Sequence, residues 1–293
     1  MLYTIENKSL KISVDTYGAQ LQSVFSKDTQ TEYLWQGDEK YWSGRAYNLF
    51  PAIGRLYTGA YSYQDKDYSF KIHGLARYEE FSLEERTANK LVFKFSSSER
   101  TLESYPFEFD LFIRFELNGK TLVCTYNVVN KTDGEMIYAI GGHPGFNVPF
   151  EKGTQFEDYY LEFPEKTQTV WHTLSEDKFM SGKVRAYPEL KKLKIKLNHE
   201  MFNDDAIILG NTCRSVFLKS ATGKRYLKFD YPSFRYLGLW HMPNTDAPYV
   251  CLEPWTALPS TDGVKDDYSL KLDMTHLAKG EQRESVWSVT IEE

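Results

Sequence analysis

The stretch Glu108-Phe109-Asp110-Leu111-Phe112-Ile113-Arg114-Phe115-Glu116-Leu117-Asn118-Gly119-Lys120-Thr121-Leu122-Val123-Cys124-Thr125-Tyr126-Asn127-Val128-Val129 decides the fold. Apolar and polar residues alternate from Glu108 to Leu117, and again from Thr121 to Val129. That period is the mark of a strand with one buried face. Asn118-Gly119 stands between the two runs, flanked by Leu117 and Lys120, and tolerates the positive φ angles of a type I′ turn. The stretch therefore predicts a β-hairpin. Residues 216–218 and 225–229 flank Thr222-Gly223 and predict a second hairpin with a longer turn. Further strands are expected at 10–14, 20–25, 91–95 and 286–291. Helical periodicity is rare, and 274–279 is expected to form one short helix or turn. No Pro/Gly/Ser-rich linker divides the chain, the charge balance does not shift between halves, and no solenoid or propeller repeat occurs. Many short strands with regular turn signals imply a sandwich or barrel. The expectation is an all-β protein, a large antiparallel β-sandwich, with residues 1–293 as a single domain.

Composition narrows the function. The formal net charge is −6 and no basic run occurs, so nucleic acid is not an expected partner. The N-terminal Met1-Leu2-Tyr3-Thr4-Ile5-Glu6-Asn7-Lys8 lacks a charged segment followed by an apolar one, so no signal peptide is expected. No apolar stretch has the length of a membrane span, and no membrane association is expected. Cys124, Cys213 and Cys251 are widely spaced and match no zinc pattern. Reduced thiols in a cytoplasmic protein account for them. The chain carries 21 Tyr, 19 Phe and 6 Trp, enough to fill a pleated core and still supply flat faces for sugar rings.

Three short segments carry polar groups where the pattern expects none. In Tyr249-Val250-Cys251-Leu252-Glu253, alternation puts Tyr249, Cys251 and Glu253 on one face. Glu253 ends an apolar strand, and Pro254 is expected to end the ladder there. A partly dry carboxylate has a raised pKa and serves as a base near neutrality. The bland reading is a glutamate beside a turn. His143 lies in Gly141-Gly142-His143-Pro144-Gly145-Phe146, where the glycines are expected to admit a ligand or unusual backbone angles. His73 precedes Gly74 at an expected strand end. A structural, buried role is the alternative for both histidines. His172, His199, His241 and His276 read as surface residues, with His241 of interest because Trp240 adjoins it. His73, His143 and Glu253 would suit a facial metal triad. No closely spaced ligand pair supports one, so no metal is expected. No Gly-x-Ser-x-Gly elbow, phosphate loop or dinucleotide fingerprint occurs.

Taken in order, these segments resemble the aldose 1-epimerase (galactose mutarotase-like) superfamily, and more closely its LacX-type branch of mutarotase-related proteins. The resemblance runs over nearly the whole chain. It includes Gly18–Val24, Glu32–Gly37, Tyr41-Trp42, Asn48–Arg55, His73–Arg77, Gly142–Phe146, Leu239-Trp240 and Cys251–Trp255. It implies the supersandwich type of β-sandwich with the sugar in an open cleft. It also implies Glu253 as catalytic base and His143 as catalytic acid. His73, Arg55 and Trp42 take sugar-binding roles, and Asp205 grips sugar hydroxyls, with neighbouring Asp204 as the alternative. The setting of His143 differs from that of the galactose mutarotases proper. The His-Gly-x-Ala-Arg pattern at 73–77 is shared with hexose-6-phosphate mutarotases, which makes Arg77 and Arg45 candidates for a phosphate, against surface salt bridging.

The implied reaction interconverts the α and β anomers of an aldose. One proton leaves the anomeric hydroxyl and one reaches the ring oxygen. A carboxylate base and an imidazolium acid meet that need, with no cofactor. The expected partner is a small aldose, and the expected assembly a monomer or homodimer. The alternatives are a hexose-6-phosphate 1-epimerase, a sugar-binding protein without turnover, and a glycosidase using Glu253 with Asp205.

Overall fold

The hairpin read from the sequence is present, with its turn shifted by one residue. The computed structural model describes residues 1–292, apart from the side chains of Glu189 and Lys191. Strands Phe109–Asn118 and Thr121–Asn130 pair antiparallel, with Asn118 opposite Thr121. The turn residues are thus Gly119 and Lys120, and of the two only Gly119 has a positive φ, +61°. That is the pattern of a type II′ turn, not the expected type I′. The second hairpin joins Ser215–Ser220 to Tyr226–Asp230. The four other expected strands lie within Leu10–Asp15, Gln20–Ser26, Lys90–Ser96 and Gln282–Glu292. The expectation for 274–279 is corrected. Thr275–Leu277 is a strand paired with Met136–Tyr138, and its buried–exposed–buried pattern is too short to have separated strand from helix.

Every named strand pairing is antiparallel, and two large sheets dominate. Nine strands run in the order Lys194–Lys196, Tyr159–Glu162, Ser215–Ser220, Tyr226–Asp230, Gln282–Glu292, Thr121–Asn130, Phe109–Asn118, Lys90–Ser96 and Ser82–Arg86. Seven run in the order Met180–Ala186, Val170–Leu174, Ile207–Gly210, Tyr236–Trp240, Tyr249–Trp255, Gly141–Asn147 and Ala46–Leu49. The inner face of the first sheet buries Leu111, Ile113, Phe115, Tyr126 and Trp287, and that of the second buries Leu209, Leu237 and Leu252. Burying one such aliphatic or phenyl side chain contributes about 1.5–3 kcal/mol, so the two-sheet interior is the main source of stability.

One polar chain crosses that interior. The Trp287 indole N–H donates to Tyr126 Oη (3.0 Å), and the Tyr126 hydroxyl donates to Asn48 Oδ1 (2.9 Å). Asn48 Nδ2 then donates to the carbonyls of Gly18 and Ala19. Gly142 lies against this chain: a Cβ there would sit 2.9 Å from Tyr126 Oη and 3.0 Å from Trp287 Nε1. The chain thus fixes the strand that carries His143 against the opposite sheet. Tyr126→Phe leaves a buried N–H and a buried amide oxygen without partners, and is expected to cost about 1–3 kcal/mol. Urea unfolding checks this; an unchanged midpoint would show that the crossing chain adds nothing.

Candidate active site

The seven-stranded sheet sets the site by register. Gly145 pairs with Cys251 and Gly141 with Trp255, so the same register places His143 opposite Glu253. The ladder is interrupted between those two anchor points, where Pro144 and Pro254 supply no N–H. On its other side Glu253 pairs with Gly238, and that ladder continues through Pro254 to Trp255. Pro254 therefore does not end the strand, as expected from sequence, because its missing donor falls where the adjoining ladder is already open. One transverse row reads Tyr47, His143, Glu253, Gly238, Ile208 and His172 across the sheet. Cross-strand partners share a face, so these side chains project together.

His143 and Glu253 meet in this row, with Nε2 and Oε2 3.2 Å apart. Both are buried, at 7% and 2% exposure. The glycines around His143 have a role the sequence did not suggest. None of Gly141, Gly142 and Gly145 has a positive φ. A Cβ at Gly145 would meet Trp42, Trp35 and Cys251 within 3.1–3.4 Å, and one at Gly141 would meet the Pro254 carbonyl at 2.7 Å. They make room for the protein's own rings and backbone. Packing accounts for them without a ligand.

His73 approaches from the turn that follows strand Lys66–Ser69. Its backbone is left-handed, with φ +67°, and Gly74 follows at +78°. A Cβ at Gly74 would fall 2.4 Å from the Phe50 carbonyl oxygen, so only glycine fits there. The backbone N–H of Gly54 donates to His73 Nδ1 (3.1 Å). A nitrogen that accepts carries no proton, so neutral His73 holds its hydrogen on Nε2 and acts there as a donor. Its ring stands perpendicular to that of His143, centroids 5.5 Å apart.

Burial governs the protons. It pushes the Glu253 carboxyl well above its usual range, and the negative charge of Asp205 adds to the rise. The Trp255 indole N–H opposes this weakly, without reaching hydrogen-bond geometry. Burial also pulls His143 down to about 3, helped by the positive charge of Arg77. His73 is pulled well below 6.5 by burial, by His143 and by Arg77. Burial thus disfavours the charge on both groups and favours a carboxyl beside a neutral imidazole over the ion pair that the expected imidazolium would form.

Aromatic rings enclose the pair. Trp42 lies over His143 with centroids 4.9 Å apart, Trp240 meets it edge-on at 5.6 Å, and Tyr249 packs on Trp35 and Trp42. The Arg77 guanidinium lies 3.6 Å above the Tyr47 ring, and its Nε is buried without a hydrogen-bond partner. The expectation of surface salt bridges for Arg77 and Arg45 is corrected: among the described residues neither pairs with a carboxylate. Arg45 instead donates to the Gln22 carbonyl and to Gln36. Tyr47 and Trp240 were not singled out as site residues from the sequence. Alternation puts Tyr47 on the His143 face, opposite Asn48, and was the available signal.

Asp205 and Arg55 stand further out. Asp205 has a left-handed φ of +81° and accepts the Ala206 N–H at Oδ1, while Asp204 points to solvent beside Lys178. Asp205 is thus the residue whose charge Glu253 feels. Arg55 is exposed; it donates to the Asp177 and Lys178 carbonyls and packs over Phe179. No described contact links it to His143 or Glu253. A cavity of about 920 Å³ includes Asp205, Trp171, Thr173 and Ile207 in its walls, but none of His73, His143 and Glu253. Trp171 and Ile207 alternate with His172 and Ile208, so this cavity opens from the other face of the sheet. The surface reading of His241 is also corrected. It is fully buried, contacts His199 Nδ1 through Nε2 (3.1 Å) and packs on Phe202. His143, Cys251 and Glu253 offer metal-type donor atoms within 4.8 Å of one another.

Comparisons with known proteins show the family and the fold. The aldose 1-epimerase family profile matches residues 1–276. The chromosomal protein LacX of Lactococcus lactis subsp. lactis is 36% identical over 270 residues, covering 89% of each chain. The chain belongs to the aldose 1-epimerase family. A galactose mutarotase related enzyme from Lactobacillus acidophilus has 33% identity and a TM-score of 0.93, over 100% of this chain and 98% of that one. A galactose mutarotase-like protein from Lactobacillus casei has 29% identity and a TM-score of 0.94, over the whole of both chains. The epimerase fold is thus the β-sandwich expected from the sequence. No helix among the described residues is long and apolar enough to cross a membrane.

The neutral histidines give the family member a pH signature. An unfolded chain protonates them near 6.5, whereas folded His143 resists until about 3 and folded His73 until well below 6.5. Between those limits the unfolded state binds more protons at these two histidines, so their contribution to stability is fully present above about 6.5 and falls as pH drops. A His143→Asn, His73→Asn double variant is expected to lose less stability than the parent between about pH 7 and about pH 4.5. Urea midpoints at both pH values check this. Equal losses in parent and variant would contradict it.

Proposed function

We propose that this family member is an aldose 1-epimerase that equilibrates the anomers of a hexose by acid/base ring opening, as a single unit over residues 1–293 in the cytoplasm. The observation that carries the reading is the His143–Glu253 contact of 3.2 Å between two buried groups. Ring opening needs a base at the anomeric hydroxyl and an acid at the ring oxygen. Ring closure needs the reverse. A pair with one proton performs both halves by reallocating it. When a sugar separates the two groups, Glu253 as carboxylate takes the O1 proton and protonated His143 gives its own to O5. The product allocation is a neutral imidazole beside a carboxylic acid. Burial favours that same allocation in the empty site, so the resting site is preset to close the open-chain aldehyde. His73, a donor through Nε2, holds a sugar oxygen beside His143, and Trp42 supplies a flat face. Arg55 and Asp205 grip the rim of the ring. The buried core running from Ile5 to Ile291 supports action as one unit.

Glu253→Gln keeps the shape and removes the base. Its expected effect is a loss of roughly 10²-fold or more in enzyme-dependent mutarotation, read by polarimetry at low buffer concentration. A folded variant with the parent's rate would exclude Glu253 as the base. A parent that binds sugar but leaves the equilibration rate unchanged would make the chain a binding protein.

A phosphorylated hexose is a second reading, favoured by one feature. Arg77 carries an unpaired charge near the pair, and Lys71 and Arg77 both pack on Tyr78. A guanidinium fork fits a phosphate bidentately. On this reading Arg77→Ala raises KM for glucose 6-phosphate or galactose 6-phosphate about tenfold or more, and leaves that for the free hexoses nearly unchanged. Equal effects on both sugar classes would remove phosphate recognition from Arg77.

A further inference from the structure

Cys251 lies on the face of the pair and takes no part in the proton transfer. It lies two residues before Glu253 on the same strand, so both side chains project to the same side. Its cross-strand partner is Gly145, where the absence of a Cβ leaves the thiol space: a Cβ there would lie 3.4 Å from Sγ. Cys251 is completely buried, and burial together with the Glu253 charge pushes its thiol well above the usual range. Sulfur, imidazole nitrogen and carboxylate oxygen lie within 4.8 Å of one another, and all three residues are at least nine-tenths buried. The Nδ1 atom of His143 has no hydrogen-bond partner, and its Nε2 faces Glu253 Oε2.

We propose that His143, Cys251 and Glu253 form a binding site for one thiophilic divalent cation of the zinc class, and that occupancy shuts off mutarotation. One thiolate, one imidazole and one carboxylate are all zinc ligands, and three protein donors leave a fourth position for water. The charge balance suits a buried place. The ion displaces the thiol proton, so a dication meets a thiolate, a carboxylate and a neutral ring. Proton release accompanies the entry of the ion. His143 keeps the most exposure of the three and is the first donor an incoming ion meets. The ion then holds the same imidazole nitrogen and carboxylate that the reaction needs, and neither can exchange a proton with sugar. The inhibitory consequence rests on the mutarotase reading above, whereas the binding site does not.

The experiment uses the intact protein with Zn²⁺ alone, and Co²⁺ as its spectroscopic substitute. Calorimetry is expected to show one Zn²⁺ per chain, with affinity rising as pH rises because protons are released. Co²⁺ is expected to give a thiolate-to-metal charge-transfer band that persists in Cys213→Ser, since Cys213 lies elsewhere, beside the Ser215 carbonyl. Cys251→Ser is expected to keep basal mutarotation, to lose the band and to weaken Zn²⁺ binding about a hundredfold or more, beyond the cost of losing an outer-shell partner. Equimolar Zn²⁺ is expected to abolish the parent's mutarotation, with recovery on chelation. A parent without the Co²⁺ thiolate band overturns the proposal, even where Cys251→Ser fails to fold. So does a folded Cys251→Ser that binds Zn²⁺ as the parent does. If no sugar is equilibrated by the parent, the mutarotase reading fails, while calorimetry and the Co²⁺ band still decide the metal site.

Discussion

A gap in one β-ladder holds the site together. Pro144 and Pro254 both lack an N–H, and they sit where strands Gly141–Asn147 and Tyr249–Trp255 run side by side. Pairing is anchored on either side of the gap, at Gly141–Trp255 and Gly145–Cys251, so register is kept while the hydrogen bonds between are given up. Inside the gap His143 and Glu253 face each other. The sandwich behind them excludes water, and exclusion of water sets their protons. Slide either strand by one residue and its group would turn toward the core.

That constraint explains why the site carries so few fixed charges. A buried carboxylate beside a buried imidazolium would cost desolvation of both ions. Burial disfavours both ionic forms of the pair, and His73 accepts a backbone N–H at Nδ1. Arg77 is the exception. Its guanidinium lies on the Tyr47 ring, and its field disfavours a second cation at His143 or His73.

Much of this was legible in the chain. Alternation over 108–129 gave the hairpin, and period-two reasoning put Cys251 and Glu253 on one face. Glu253 and His143 stood out because charge and imidazole broke apolar runs. Other features were not readable, each for a definite reason. The turn shifted by one residue because Asn118 pairs with Thr121. The glycines around His143 looked like ligand space, but they accommodate Tyr126, Trp287, Trp42 and the Pro254 carbonyl, all far away in sequence. His241 looked exposed because burial by Phe202 and Tyr249 is a tertiary fact. The proton state of the pair depends on depth, which no local pattern records.

The most direct test of the account is a crystal structure of the protein with a reducing hexose bound. The account predicts the sugar on the His143 face of the sheet, with O1 and O5 within hydrogen-bond distance of Glu253 and His143 and a third oxygen at His73 Nε2. A hexose held instead in the cavity beside Trp171 and Ile207, with the His143–Glu253 contact undisturbed, would contradict it.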